Sequence, residues 1–278
     1  MNNRIHKYLI NLPDRQERLF HSLEQLRKVD LDDMITIVKA VSPEEAQQQQ
    51  FTFLTKQGYQ NIKNPQSALL IPNYKALGCN ISHQKCWSHM VVNNIEEAFI
   101  MEDDIQVTNP DFFRFELEQV REIIKDTSPK GIYIIFNGKY IKNNYQNDNY
   151  SYYSQIGSLG SSISPYDHHY SDIKYFPYIN YSVIGCHFYY LNLKMATFLL
   201  KKLKHSSYQI DIEISNLAKV YNDHIFLNVE SSSIIQSSQF PSDIQFYSIS
   251  KLEISYLFNL NIDISNQIWN YLLTCFRR

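Results

Sequence analysis

Three consecutive carboxylates, Glu102, Asp103 and Asp104, directly follow a short apolar run at residues 98–101. A bounded apolar run of this length indicates a buried strand. Acids crowded at the end of such a strand repel one another, and a divalent cation relieves that repulsion because carboxylate oxygens bind it well. The pattern therefore predicts a metal site. Acids after a strand also commonly cap the next helix, but the Asn-Pro pair that begins at Asn109 supplies that cap further on.

Alternate side chains of an extended segment face the same side. Glu102 and Asp104 are therefore predicted to act as a pair of metal ligands, with Asp103 between them in contact with the bound cofactor. Asp243 lies in the late segment Pro-Ser-Asp-Ile-Gln and would close the site from the far end of the chain. We include it as a candidate third metal ligand.

Length and composition restrict the class of protein. A chain of 278 residues suffices for one α/β domain with a small appendage. Its 26 Lys and Arg against 28 Asp and Glu leave a net charge of −2, which provides no basic field for nucleic acid. Cys79, Cys86, Cys186 and Cys275 form no C-x-x-C pair and are predicted to be free thiols in a reducing compartment. No signal peptide or membrane span is visible, so we expect a cytoplasmic protein.

Strands and helices are predicted to alternate in the first half of the chain. Lys7–Leu12 is strand-like, and a helix is predicted to open at Pro13-Asp14, where Glu17 follows the cap by three residues. A second strand at Met34–Val41 leads into a short helix capped by Ser42. The remaining predictions are helices at 79–92 and 110–125 and strands at 98–101 and 131–136. This alternation indicates an α/β fold with a mostly parallel sheet flanked by helices.

The second half of the chain is less regular. Residues 139–178 lack periodicity, and so long a connection indicates either a disordered insertion or a substrate lid. Residues 251–278 are predicted to form a packing helix with a basic end, and a peripheral membrane contact is the alternative for this tail. Further strands are predicted at 181–185, 187–191 and 225–229, and further helices at 193–205 and 212–221.

Four separated segments form an ordered set. They are Ile10-Asn11-Leu12 with Arg15 and Arg18, Gly78-Cys79-x-x-Ser82-His83, Met101-Glu102-Asp103-Asp104, and Ile210-Asp211. In content and order they resemble the motifs of glycosyltransferase family 25, which includes bacterial lipooligosaccharide galactosyltransferases and the collagen galactosyltransferase catalytic domain. The chain departs from the family pattern at Lys75-Ala76, where the family often has Gly-Glu.

The resemblance implies a GT-A-like nucleotide-binding sheet, a donor that is usually a UDP-sugar, and Mn²⁺ or Mg²⁺ as the metal. It also implies transfer of a sugar such as galactose, with inversion at the anomeric carbon, to a hydroxyl of a glycan, a lipid-linked sugar or a protein. On this basis residues 1–250 form the glycosyltransferase domain, with a nucleotide-sugar half at 1–137 and an acceptor half at 138–250, and 251–278 form the tail. The alternative is an inactive glycosyltransferase-like protein that binds sugars or partners.

Individual roles follow from the resemblance together with the residue types. Asn11 ends the first strand, where α/β folds bind nucleotides, and is expected to contact uracil or ribose; a cap of the following turn is the alternative. Arg15 and Arg18 lie one helical turn apart and are expected to approach phosphate or ribose, unless they are ordinary solvated charges. Ser82 and His83 lie inside a predicted helix, where a lone histidine is more often a structural group, and the motif match alone assigns them to the donor. Glu102 and Asp104 are expected to contact the ribose as well as the metal.

Asp211 is the candidate general base that would deprotonate the acceptor hydroxyl, because it follows an apolar approach and begins a predicted helix. A helix N-cap is the alternative for the same aspartate. Sugar-phosphate nucleotidyltransferases have a similar sheet but would need a glycine-rich phosphate loop after the first strand. Residues 11–15 read Asn-Leu-Pro-Asp-Arg instead, which disfavours that class.

Overall fold

A mixed β-sheet with helices on both faces organises the computed structural model of the protein. The structure describes residues 5–64, 70–127, 130–136, 139–144, 151–153, 169–170, 173–177, 181–221, 223–229 and 233–240. The predicted tail at 251–278 and Asp243 lie outside these residues.

Strands and helices alternate through the first half of the chain, as predicted. The strands are β1 His6–Asn11, β2 Ile35–Lys39, β3 Glu97–Glu102, β4 Ile105–Val107, β5 Ile132–Phe136, β6 Lys139–Asn144, β7 Ser151–Tyr153, β8 His169–Tyr170, β9 Ile173–Pro177, β10 Tyr181–Ile184, β11 Phe188–Asn192, β12 Ile225–Val229 and β13 Ile234–Gln236. The helices are α1 Gln16–Arg27, α2 Pro43–Gln48, α3 Gln50–Phe53, α4 Lys56–Lys63, α5 Tyr74–Val92, α6 Pro110–Thr127, α7 Leu193–Lys202 and α8 Ile210–Val220.

Within the described residues, the main sheet has eight strands in the order β2-β1-β3-β11-β5-β12-β9-β8. β1 pairs in parallel with both β2 and β3, and β5 pairs in parallel with β12. β11 inserts antiparallel between β3 and β5, so β2, β1, β3, β5 and β12 all run in one direction. The predicted α/β fold with a mostly parallel sheet is confirmed, and the carboxyl ends of β1, β2 and β3 meet at one edge.

The two faces of the sheet are buried by different helices. Alternation along β3 sends Ala98 and Ile100 to one face and Phe99 and Met101 to the other. The first face packs against α5, α7 and α8, and the second against α1 and α6. Because both faces are covered, the central strands β3 and β5 are apolar in their interiors.

Two helix starts differ from the sequence prediction. α1 begins at Gln16 with Arg15 as its N-cap and no side-chain cap, so the predicted cap at Asp14 is wrong. The reason is a turn over Pro13-Asp14 that the bond from Arg15 N to Leu12 O closes at 2.8 Å. α5 begins at Tyr74 rather than at residue 79, because the Asn73 side chain accepts from the N–H of Ala76.

Two predicted caps have the expected form. Ser42 caps α2 through a complete capping box with Glu45. The Asn109 side chain accepts from the N–H of Phe112 at the start of α6. The acids at 102–104 are therefore not needed as a helix cap.

The segment 139–178, predicted to be irregular, contains four strands among its described residues: β6, β7, β8 and β9. The prediction is wrong there because β6 is held by pairing with β7 and with the more distant β10, and not by an apolar period of its own. Across the described part of the chain, no helix combines the length and apolar character needed to cross a membrane.

Candidate functional site

A cavity of about 520 Å³ opens where the carboxyl ends of β1, β2 and β3 meet. Ligands of open α/β sheets bind at this edge because the strand ends and their loops leave a crevice there. Four parts of the chain line the cavity: the segment after β1, the loop after β2, α5 and the end of β3. Their residues are Ile10, Leu12 to Arg15, Arg18, Lys39 to Glu45, Lys75, Cys79, Ser82, His83 and Glu102 to Asp104.

The three acids stand at the end of β3 and all line the cavity. Glu102 is the last residue of the strand, and its N–H donates to the carbonyl of His187 at 3.0 Å. Asp103 and Asp104 form a turn into β4. The acids are therefore not on one extended segment, and the alternation expected to pair Glu102 with Asp104 does not apply to this turn.

Asp103 is buried and held from two sides. Asn11 Nδ2 donates to its Oδ2 at 2.6 Å, and Arg18 Nη1 donates to its Oδ1 at 3.4 Å. Burial raises the pKa of Asp103, and the bonds from Asn11 and Arg18 only partly offset that effect. The same Asn11 amide donates to the carbonyl of Arg15 at 3.0 Å, which is close to the capping role given as the alternative for Asn11.

Asp104 has one buried carboxylate oxygen that makes no hydrogen bond within the described part of the chain. Its side chain is buried, and Gln236 Nε2 donates to Oδ2 at 2.7 Å. Its Oδ1 has no hydrogen-bond partner among the described residues. Burial and the charge of Glu102 raise the pKa of Asp104 to about 7. A buried carboxylate with one open oxygen beside two further carboxylates is a group that a cation would stabilise.

Glu102 faces α5. His83 Nε2 lies 3.2 Å from Glu102 Oε1, and the Cys79 thiol lies 3.8 Å from the same oxygen. Burial raises the pKa of Glu102, but the bond from His83, the electrostatic effects of His83 and His187 and the bond from Cys79 together outweigh burial, so the pKa is lowered overall. One donor atom from each of Cys79, His83 and Glu102 lies within 4.8 Å of the others.

His83 is fully buried, and its second ring nitrogen, Nδ1, also has a hydrogen-bond partner. Its Nδ1 lies 2.8 Å from the hydroxyl of Tyr189, to which Trp87 Nε1 also donates at 3.1 Å. Ser82 has a different environment: its hydroxyl donates to the carbonyl of Gly78 at 2.7 Å and accepts from the N–H of Val41 at 2.9 Å. That hydroxyl therefore ties α5 to the loop after β2.

Basic side chains line the same cavity as the acids. Arg15, Arg18, Lys39 and Lys75 line the cavity. Lys39 also pairs with Glu45 at 2.7 Å. A cavity lined by both acidic and basic side chains suits a ligand that combines a metal ion with anionic phosphate.

Asp211 is the second residue of α8 and does not line the cavity. Its Oδ2 accepts from the N–H of Gly185 and its Oδ1 from the N–H of Ile212, each at 2.8 Å. The N-cap of α8 is Gln209, so the N-cap alternative for Asp211 is wrong. Burial raises the pKa of Asp211, and the charge of Glu102 contributes, so the two carboxylates share one electrostatic environment.

Comparison with known proteins decides the family. The model of Glycosyltransferase family 25 (LPS biosynthesis protein) matches residues 4–214. The chain belongs to glycosyltransferase family 25. The resemblance stated from the four motifs is thereby confirmed, and the protein is a glycosyltransferase. The matched residues include every site candidate from Asn11 to Asp211, while Asp243 lies beyond them.

Solved structures similar to this family 25 glycosyltransferase include the UTP-bound UGPase from Acinetobacter baumannii, at 10% identity and a TM-score of 0.41, covering 97% of this chain and 99% of that chain. A putative glucose-1-phosphate thymidylyltransferase from Bacillus anthracis, in complex with a sucrose, has 11% identity and a TM-score of 0.37, with 93% and 97% covered. An apo UDP-glucose pyrophosphorylase has 12% identity and a TM-score of 0.36, with 81% and 90% covered. No curated protein sequence matches the chain.

Several residues of the site in this family 25 glycosyltransferase were not assigned from the sequence, among them Lys39, Cys79 and Gln236. Cys79 was predicted to be only a free thiol, yet its sulfur lies beside Glu102. Its spacing of four from His83 on a helix places both on one face and was the available signal. Gln236, the partner of Asp104, is separated from it by 132 positions, and no local pattern indicates that contact.

Proposed function

We propose that this family 25 glycosyltransferase transfers a sugar from a UDP-sugar, with Mn²⁺ or Mg²⁺ and with inversion, to a hydroxyl of a glycan, a lipid-linked sugar or a protein. The observation that carries the proposal is the cavity at the carboxyl ends of β1, β2 and β3, which Glu102, Asp103 and Asp104 line together with basic side chains. A nucleotide diphosphate with its metal ion is a ligand that suits both kinds of side chain.

Glu102 and Asp104 are the residues that would hold the metal. Asp104 supports this role because its Oδ1 is buried without a hydrogen-bond partner in the described part of the chain. Asp103 is better suited to positioning, since Asn11 and Arg18 occupy both of its oxygens. When bound, the ion would offset the charge of the diphosphate and of the departing UDP.

The basic side chains would bind the donor. Arg15, Lys39 and Lys75 line the same cavity as the acids and would contact the phosphates. Leu12 and Val41 supply apolar surface in the same cavity, against which a nucleobase would pack. Arg18 would act mainly through Asp103, to which its guanidinium is bound.

Asp211 is the proposed base. Its raised pKa makes the carboxylate a better proton acceptor than an ordinary aspartate. The backbone N–H groups of Gly185 and Ile212 fix its orientation. The carboxylate would take the proton of the acceptor hydroxyl as that oxygen attacks the anomeric carbon on the face opposite to UDP, which inverts the configuration.

The experiment that tests this proposal is UDP release from a panel of UDP-sugars by the metal-stripped protein, with Mn²⁺ or Mg²⁺ restored and an acceptor hydroxyl supplied. We expect release with at least one donor only when metal is present, and loss of at least about 100-fold in Asp104→Ala. Asp32→Ala, at an exposed aspartate, is the matched control. Absence of UDP release from every donor, or equal release by the Asp104 variant, would contradict the proposal.

A further inference from the structure

The cluster of Cys79, His83 and Glu102 differs chemically from the carboxylate site proposed for Mn²⁺ or Mg²⁺. It offers one sulfur, one imidazole nitrogen and one carboxylate oxygen, all within 4.8 Å of one another. Sulfur and imidazole donors favour zinc-like cations over Mg²⁺ and Mn²⁺, which prefer oxygen. We propose that this cluster binds Zn²⁺ or another thiophilic divalent cation, in a site that lies in the same cavity and shares Glu102 with the carboxylate site.

Local structure brings the three donors together. Cys79 and His83 are four residues apart on α5, so their side chains lie on one face of the helix. Glu102 comes from the end of β3, and its Oε1 is the atom that both α5 side chains approach. Two ligands on one helical turn with a third from a neighbouring element is an arrangement that metal sites in proteins commonly use.

The histidine is already oriented for a ligand. Its Nδ1 lies 2.8 Å from the Tyr189 hydroxyl, and that hydroxyl also accepts a hydrogen bond from Trp87 Nε1. With a cation at Nε2, the ring hydrogen would reside on Nδ1 and donate to Tyr189. A hydrogen bond of this kind behind a metal-bound histidine fixes its tautomer and ring plane.

The cluster is accessible from solvent. All three residues line the cavity, and Cys79 and Glu102 are only partly buried. Structural zinc sites are usually closed by four protein ligands, whereas three ligands and an open side characterise sites that exchange ligands. A cation would enter through the cavity, and the thiol proton displaced by binding would leave to solvent.

The direct test is absorption spectroscopy of the full chain titrated with Co²⁺, without nucleotide. We expect a sulfur-to-cobalt charge-transfer band that Zn²⁺ abolishes by displacement and that is absent in Cys79→Ser. Zn²⁺ affinity, measured by competition with a chromophoric chelator, should fall at least about tenfold in Cys79→Ser, since even the loss of an outer partner weakens metal sites by that much. Cys86→Ser, on the same helix but away from the cluster, should bind like the unmodified protein.

A second measurement uses the unmodified protein, so its result does not depend on whether Cys79→Ser folds. Zn²⁺ should slow alkylation of Cys79 by iodoacetamide, as read by mass spectrometry, while Mg²⁺ should not. No charge-transfer band with Co²⁺, an equal band in Cys79→Ser, or alkylation of Cys79 that Zn²⁺ leaves unchanged would each overturn the proposal. None of these readouts uses a UDP-sugar, so their failure is distinguishable from failure of the proposed sugar transfer.

Glu102 belongs to both sites, and this has a functional consequence that rests on the proposed function. A zinc ion at the cluster would occupy a carboxylate that the donor site needs. We expect Zn²⁺ to inhibit Mn²⁺-dependent UDP release, with an inhibition constant at least about tenfold higher in Cys79→Ser than in Cys86→Ser. Equal inhibition of the two variants by Zn²⁺ would contradict the expectation that zinc at the cluster competes for Glu102.

Discussion

Asn11 and Asp103 join the carboxyl ends of two adjacent parallel strands through a hydrogen bond of 2.6 Å from Asn11 Nδ2 to Asp103 Oδ2. Asn11 is the last residue of β1, and Asp103 follows the last residue of β3. The bond is buried, and Arg18 adds a contact on the other oxygen of Asp103. This network holds the turn that follows Glu102 and carries Asp103 and Asp104.

Removing the Asn11 amide should destabilise the protein. In Asn11→Ala, Asp103 loses its closest donor while remaining buried, so we expect the free energy of unfolding to fall by about 1–3 kcal/mol. Urea denaturation measures this change. Gln57→Ala, at an exposed position of α4, is the control and should stay within about 0.5 kcal/mol of the unmodified protein. A similar effect of both substitutions would contradict the role of Asn11.

Asp104 should make the stability of the metal-free protein depend on pH. Its folded pKa is raised from 3.8 to about 7, so the folded state binds the proton more tightly than the unfolded state does. Its stabilising contribution is fully present below about pH 4 and is lost as the pH rises through about 7. Asp104→Asn removes this charge but keeps an oxygen to accept from Gln236.

We therefore expect Asp104→Asn to be more stable than the unmodified protein at about pH 8, by up to about 4 kcal/mol, and to lose that advantage near pH 4. Thermal and urea denaturation in the presence of a chelator measure the difference at each pH. Glu118→Gln, at an exposed position of α6, should show no such trend. A difference between Asp104→Asn and the unmodified protein that does not change with pH would contradict the prediction.

Asp211→Asn should lower the rate of sugar transfer without weakening donor binding. Loss of the proposed base should lower the rate of transfer by about 100-fold or more, because an amide does not accept the proton. Asp211 does not line the cavity, so the affinity for UDP, measured by calorimetry, should be retained.

Glu213→Gln is the matched control for Asp211. Glu213 lies on the same helix, and its Oε1 also accepts from two backbone N–H groups, those of Ser207 and Tyr208. Burial raises the pKa of Glu213 as it does that of Asp211. Both variants should lose stability, but only Asp211→Asn should lose transfer. Full transfer by Asp211→Asn would exclude Asp211 as the base.

Gly78 should not tolerate a methyl group. A Cβ atom at this position would lie 2.3 Å from the carbonyl oxygen of Val41, so α5 and the loop after β2 would have to separate. We expect Gly78→Ala to reduce the free energy of unfolding by about 1–3 kcal/mol or more and to weaken UDP binding, because this contact shapes the cavity wall. At Gly131 the nearest atoms would be 3.4 Å away, so Gly131→Ala should be nearly neutral. Differential scanning calorimetry compares them, and equal melting temperatures would contradict the prediction.

Local patterns in the sequence account for much of the fold. The apolar runs within β1, β3 and β5 are visible because strands covered on both faces are mostly apolar. The caps at Ser42 and Asn109 are readable because a cap and its N–H partner are three residues apart. The turn over Pro13-Asp14 was missed because proline suits the second position of a turn as well as the first turn of a helix. The strand β6 was missed because its pairing with β10 is not local.

The sequence by itself determined the family motifs, the order of strands and helices in the first half, and the presence of three acids at a strand end. Only the tertiary structure decided which groups those acids meet: Asn11 for Asp103, Gln236 for Asp104, and Cys79 with His83 for Glu102. These contacts join different elements across the sheet edge. Periodicity reports which face of its own element a side chain occupies, whereas a contact between elements depends on how they pack.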